Sequence, residues 1–208
     1  MFTIIYILIF SVFSLMHQNY EFIYYSIVLL ILVNFIMQLH KRMLFAGYIL
    51  VGLSIVGFIH ILGGNVYIDG VRLYDYYLIS DIVRYDNLVH AASSFIFTFV
   101  SYALIKPYID PDLKVRPFSL YMIMFFSTMG IGAINEVIEY FAVIWLDVGA
   151  WVGDYYNNAL DLVFNGVGSL LACFYMATRK KLIVLQKEFR ISERIAKQYK
   201  KRYKRGTN

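Results

Sequence analysis

The chain has 208 residues, 60% of them hydrophobic and 16% charged, with a formal net charge of +5. Soluble domains carry about 25% charged residues, and the mean hydropathy here is +0.62. These values exclude a soluble enzyme, a disordered chain and a nucleic-acid-binding domain, and leave a polytopic membrane protein.

Six apolar segments are predicted in chain order, at about 2–16, 22–38, 43–62, 88–105, 118–145 and 159–178. The fold class expected is an all-α transmembrane bundle, followed by a basic tail over 179–208 that reads as a cytoplasmic helix. The first segment is shorter than the usual span of about 17–25 residues. It lacks a basic leader and a small-residue cleavage site, so it reads as a retained span and not a removed signal peptide. Cys173 is the only cysteine. It cannot form an internal disulfide, and no cysteine-based zinc site is indicated.

Lysine and arginine set the expected orientation. The tail Arg179–Arg205 holds 12 of the 19 basic residues. Lys41, Arg42, Lys106, Lys114 and Arg116 fall on the same side of a six-span chain. Only Arg72 and Arg84 fall on the other. Both termini are therefore expected in the cytoplasm of a cell membrane, with the connections 63–87 and 146–158 facing outward. The tail reads equally as a lipid-head-group contact, at about 1 kcal/mol per basic residue, and as a topology signal alone.

Ionisable groups inside a bilayer cost about 2.5–3.5 kcal/mol each at a helix centre, so the few present need a reason. His60 closes the third segment, and Asp86 and His90 open the fourth. Asn135, Glu136 and Glu139 stand late in the fifth. Asp154, Asn157, Asn158, Asp161 and Asn165 lead into the sixth. Counted at about 1.5 Å per residue from the basic anchors, His60, His90, Glu136 and Asp161 all lie about 24–30 Å up. Four spans thus raise their rare polar groups to one level, and a shared outward-facing pocket is the expectation. Asp86, His90 and Ser94 repeat every four residues and share a face. Glu136, Glu139 and Tyr140 are related by three and four, and Asp161 and Asn165 by four. Gly166 and Gly168 beside them permit close helix approach.

Three chemistries fit such a pocket. His60, His90, Glu139 and Asp161 suit a divalent metal such as zinc, manganese or iron, with Asp86 as an alternative orienting partner of His90. Glu136, Glu139 and His90 suit general acid–base work. Arg84, Asp86, Asp154 and Asn165 suit recognition of a polar head group. The bland alternatives are an Arg84–Asp86 interfacial pair, a His90 bond to a backbone carbonyl, and interhelical bonding by Asp161 and Asn165. Glu136 and Glu139 resist a bland reading, because acids one turn apart repel unless a proton, cation or imidazolium relieves them. The cytoplasmic halves of the third to sixth segments read as nearly purely apolar, with Ser127 and Thr128 the modest exceptions. That argues against a conducting path. The tyrosines of 67–77 and the aromatic residues of 145–156 read as an interfacial belt or, alternatively, as a lid over the pocket.

Three blocks carry a resemblance. They are Arg84-Tyr85-Asp86-Asn87-Leu88-Val89-His90, Asn135-Glu136-Val137-Ile138-Glu139-Tyr140, and Gly153-Asp154-Tyr155-Tyr156-Asn157-Asn158-Ala159-Leu160-Asp161. In this order they resemble the motifs of the YjdF-like inner-membrane family, in which a His before a Tyr-rich loop corresponds to His60. Asp161-Leu162-Val163-Phe164-Asn165-Gly166-Val167-Gly168 is similar to the last element of the broader VanZ-like pattern. Acidic and Gln positions of the third block are Asn157 and Ala159 here, and its Trp is Tyr156. The resemblance spans about residues 55–175. It implies a polytopic bundle with outward-facing polar residues and, through the VanZ-like link, a role at the cell envelope. The functions expected are a metal-dependent enzyme or binder acting on a lipid or lipid-linked envelope substrate, or a non-enzymatic transporter, accessory subunit or scaffold. Membrane lipids are the expected partners, and nucleic acid is not.

Overall fold

The computed structural model describes residues 2–79, 82–109, 117–146 and 155–178. Asp154, the connections holding Lys114, Arg116 and Trp151, and the tail 179–208 lie outside the described residues. Within them the chain is an all-α bundle of six helices. They are α1 (Phe2–Met16), α2 (Tyr20–Met43), α3 (Gly47–Asn65), α4 (Tyr85–Ile105), α5 (Pro117–Leu146) and α6 (Tyr155–Thr178). All but α1 are long and apolar enough to cross a membrane. The 15 residues of α1 span only about 22 Å, short of a hydrocarbon core of about 30 Å.

The helices keep the predicted order, with shifted ends. Helix α2 runs on through Lys41 and Arg42 to Met43, because cations in a last turn favour the negative end of the helix dipole. Leu44 then stops it in a left-handed conformation, φ 51°, its N–H donating to the His40 carbonyl. At the start of α2, the Asn19 side chain accepts from the Phe22 N–H and donates to the Gly64 carbonyl at 3.0 Å. One residue thus caps α2 and ties it to the end of α3.

The connection between α3 and α4 contains two small antiparallel hairpins, β1–β2 (Tyr67–Ile68 with Val71–Arg72) and β3–β4 (Tyr77–Ile79 with Val83–Arg84). Asp69 and Gly70 have φ of 51° and 81°, as a two-residue hairpin turn requires. A single turn of 3-10 helix, Leu73–Asp75, lies between the hairpins. Buried Arg72 fixes this connection to the bundle. It donates to Glu21 at 2.9 Å and to Asp75 at 3.0 Å. Burial works against the guanidinium charge, but the attraction of Glu21 and Asp75 outweighs it and raises the Arg72 pKa.

Helix α4 packs against α3, α5 and α6. It approaches α6 most closely at Gly168, where an added Cβ would stand 2.0 Å from the Ala91 carbonyl oxygen. Below the polar groups lies an apolar cluster that includes Ile49, Phe99, Leu120, Met124, Ala172 and Met176. Large apolar side chains such as Phe126, Val163, Leu170 and Phe174 are exposed on the outside, as lipid contact requires.

The interior carries a polar line across α4, α5 and α6, where nearly purely apolar halves were expected. Ser94 donates to Asn165 at 2.7 Å, and Thr98 donates to the Ser94 carbonyl at 2.7 Å and lies 3.0 Å from the Ser169 hydroxyl. Thr128 lies 3.2 Å from Thr98 and 3.4 Å from Ser101. All six side chains are buried, while Ser127 is exposed. One and two turns back along α5 from Thr128, the buried positions are Met124 and Leu120, members of the apolar cluster.

Candidate functional site

His90 is the centre of the site. It stands one and a half turns into α4, 7% exposed, and its two ring nitrogens face different acids. Nε2 lies 3.4 Å from Asp86 Oδ1, one turn back on α4, and 3.8 Å from Asp161 Oδ1 on α6. Nδ1 lies 3.7 Å from Glu136 Oε1 on α5. Ligand atoms of Asp86, His90 and Asp161 lie within 4.8 Å of one another, and those of His90, Glu136 and Glu139 form a second such group. Three helices therefore converge on one imidazole, at the end of the bundle that carries the hairpins.

Hydrogen bonds hold the acids in place. Asp161 is fully buried. Its Oδ1 accepts from Asn87 at 3.0 Å and its Oδ2 from Asn157 at 2.8 Å. The Asn157 carbonyl oxygen in turn accepts from Arg84 at 3.1 Å. Arg84 also donates to the Tyr77 hydroxyl and lies over the Tyr77 ring, 5.2 Å from its centroid. The Asn87 Oδ1 accepts from the Arg84 backbone N–H and so fixes the first turn of α4. Glu139 accepts from Asn135 at 2.7 Å. Both oxygens of Glu136 are buried and lack a hydrogen-bond partner, as does Asn165 Nδ2.

The structure brings together His90, Asp86, Glu136, Glu139 and Asp161. Asn165 lies one turn below Asp161, bonded to Ser94. Tyr140 shares a helical spacing with the glutamates yet is 59% exposed, because the inward arc of α5 is too narrow to include it.

His60 stands apart from both ligand groups. Its Nδ1 is hydrogen-bonded to the Tyr74 hydroxyl, and its ring lies 5.8 Å from Phe22 and 5.6 Å from Tyr25. Burial raises the Tyr74 pKa well above the ordinary tyrosine value. The hydroxyl therefore stays protonated. Tyr74 comes from the connection between the hairpins, so that segment roofs His60 and not only the membrane rim.

Asn87 and Asn157 were not among the expected site residues. Asn87 follows Asp86 and lies three residues before His90, and Asn157 lies four before Asp161. Asn157 reaches Asp161 within α6, at a spacing the sequence shows, whereas Asn87 reaches it from α4, a pairing that no spacing along the chain shows.

A bundle of long apolar helices around a buried imidazole and four carboxylates defines a membrane protein with a His/carboxylate centre. The chain belongs to the family described as "Predicted membrane protein (DUF2238)", whose model matches residues 1–181. No curated protein and no solved structure matches the chain.

Proposed function

We propose that this protein binds a divalent metal at the His90 centre, in the outer leaflet of a cell membrane, and acts there on a lipid or lipid-linked envelope substrate. The observation that carries the reading is the placement of His90 between acids from three helices at 3.4–3.8 Å. Four carboxylates around one imidazole, Asp161 buried and Asp86, Glu136 and Glu139 half-buried, require cations or protons to offset their charge. Imidazole and carboxylate oxygen suit zinc, manganese or iron. Asn87 and Asn157 orient Asp161 as outer partners of a ligand do. The metal would supply Lewis acidity and an activated water. Glu136, whose oxygens have no other partner, is placed to take or give a proton. Arg84 is the head-group contact proposed here, with Asp154 assigned to the same role from sequence.

The outward placement rests on the lysine and arginine asymmetry, which favours a cytoplasmic C-terminus and, with α1 as a sixth span, a cytoplasmic N-terminus. The YjdF-like and VanZ-like likeness supports an envelope setting through the three sequence blocks. A second reading, a non-enzymatic component whose carboxylates carry protons, is favoured by the hydroxyl line from Ser94 to Ser101. The apolar residues Met124 and Leu120 beyond it weigh against a continuous path.

Elemental analysis of the purified protein tests the proposal. Zinc, manganese or iron should co-purify with the wild type and be lost in His90→Ala and Glu136→Ala. Metal-free protein, with both variants keeping wild-type thermal stability and cellular phenotype, would overturn it. Proton flux in vesicles containing metal-free protein would favour the second reading.

A further inference from the structure

We infer that the centre holds two divalent cations, one on each side of the His90 ring. This rests on the metal-binding reading above and goes beyond it. The acids divide into two sets that share no residue except His90: Asp86 with Asp161, and Glu136 with Glu139. Nε2 faces the first set at 3.4 and 3.8 Å, and Nδ1 faces the second at 3.7 Å. The two nitrogen lone pairs of an imidazole diverge in the ring plane, so no single ion can be bound by both.

Charge leads to the same number. Four ionised carboxylates with one divalent ion leave two negative charges in the site. Two divalent ions neutralise the four carboxylates. Bridging both ions requires the ring to release its N–H proton to solvent, as metal binding commonly does. The single negative charge that remains is offset by Arg84, which is joined to Asp161 through Asn157.

Partner counting supports the second ion in particular. Asp161 is already satisfied by two amides, but both Glu136 oxygens are buried without a hydrogen bond and face only His90 Nδ1, at 3.7 Å. Buried carboxylate oxygens in that state call for a cation or a donor. Each set offers one nitrogen and two carboxylates, three protein ligands per ion, which leaves positions open for water or substrate. Metal–ligand bonds of about 2.0–2.2 Å place opposite ligands at most about 4.4 Å apart. The two groups, each within 4.8 Å, therefore need only small side-chain rotations to close on an ion.

Manganese alone is the probe. The full chain, stripped by a chelator and reloaded with Mn²⁺, should retain two ions per chain after desalting. Its paramagnetic resonance spectrum should show spin coupling between them. Asp86→Asn and Glu139→Gln should each retain one ion with an uncoupled spectrum, and circular dichroism should confirm their fold. If either variant does not fold, Asp161→Asn or Glu136→Gln replaces it in the same set. One uncoupled ion per chain, lost in variants of both sets, overturns the two-ion centre and leaves the metal reading standing. Two ions without coupling also overturn it. No bound ion overturns both.

Discussion

Gly168→Ala should loosen the helix pair on which the site depends. The added Cβ would stand 2.0 Å from the Ala91 carbonyl oxygen, 2.8 Å from its carbon and 2.9 Å from its Cα. These are backbone atoms and cannot rotate away. A carbon–oxygen contact needs about 3.3 Å, so α4 and α6 must part locally by about 1.3 Å. The Asn87–Asp161 bond at 3.0 Å and the Ser94–Asn165 bond at 2.7 Å would then pass out of hydrogen-bonding range. Overpacking costs about 1–3 kcal/mol. Each lost interhelical bond costs about 0.6 kcal/mol, and the gain in helix propensity offsets about 1 kcal/mol. The net loss is about 1–3 kcal/mol, with lower metal affinity because Asp161 moves away from His90. Gly166→Ala is the matched control, since its Cβ would make only ordinary contacts with side chains, Met129 Sδ at 3.7 Å and the Phe125 ring at 3.9 Å. Thermal unfolding in detergent and metal content read both effects. Equal melting temperatures and metal contents for the two variants would refute the close-packing argument.

Two further predictions concern the connection that roofs the bundle. Arg72→Met should destabilise by about 3–5 kcal/mol, because it leaves Glu21 buried without its cation. Adding Glu21→Gln should restore most of that loss, and denaturant titration of the single and double variants would show it; equal stability of the two would count against a buried pair. Tyr74 gives a pH dependence. Its pKa is raised in the folded state, so the stability linked to it is complete below the unfolded tyrosine pKa of about 10 and falls as pH rises above it. Tyr74→Phe should therefore lose less stability between pH 9 and pH 11 than the wild type, and parallel curves would contradict the burial argument.

Much of the bundle was legible because lipid imposes one rule on every span. The six apolar segments and their order needed only composition, and counting from the basic anchors placed His60, His90, Glu136 and Asp161 at one level. What the count could not supply was rotation. His60 and His90 stand at similar heights, yet His90 meets the acids while His60 is held by Tyr74, a partner brought in by the connection after α3. The Asp69-Gly70 turn is a hairpin signal, but strands of two or three residues are too short to show alternation. The line through Ser94, Thr98, Ser101 and Ser169 escaped notice for a different reason. Short hydroxyl side chains can bond to their own helix, as Thr98 does to the Ser94 carbonyl, and they barely interrupt an apolar run.

X-ray absorption at the metal edge of the reloaded protein tests the His90 centre most directly. The arrangement of His90, Asp86, Asp161, Glu136 and Glu139 predicts a shell of nitrogen and oxygen only, with an imidazole signature that disappears in His90→Gln and persists in His60→Gln. A sulfur ligand, or an imidazole signature that survives His90→Gln, would contradict it.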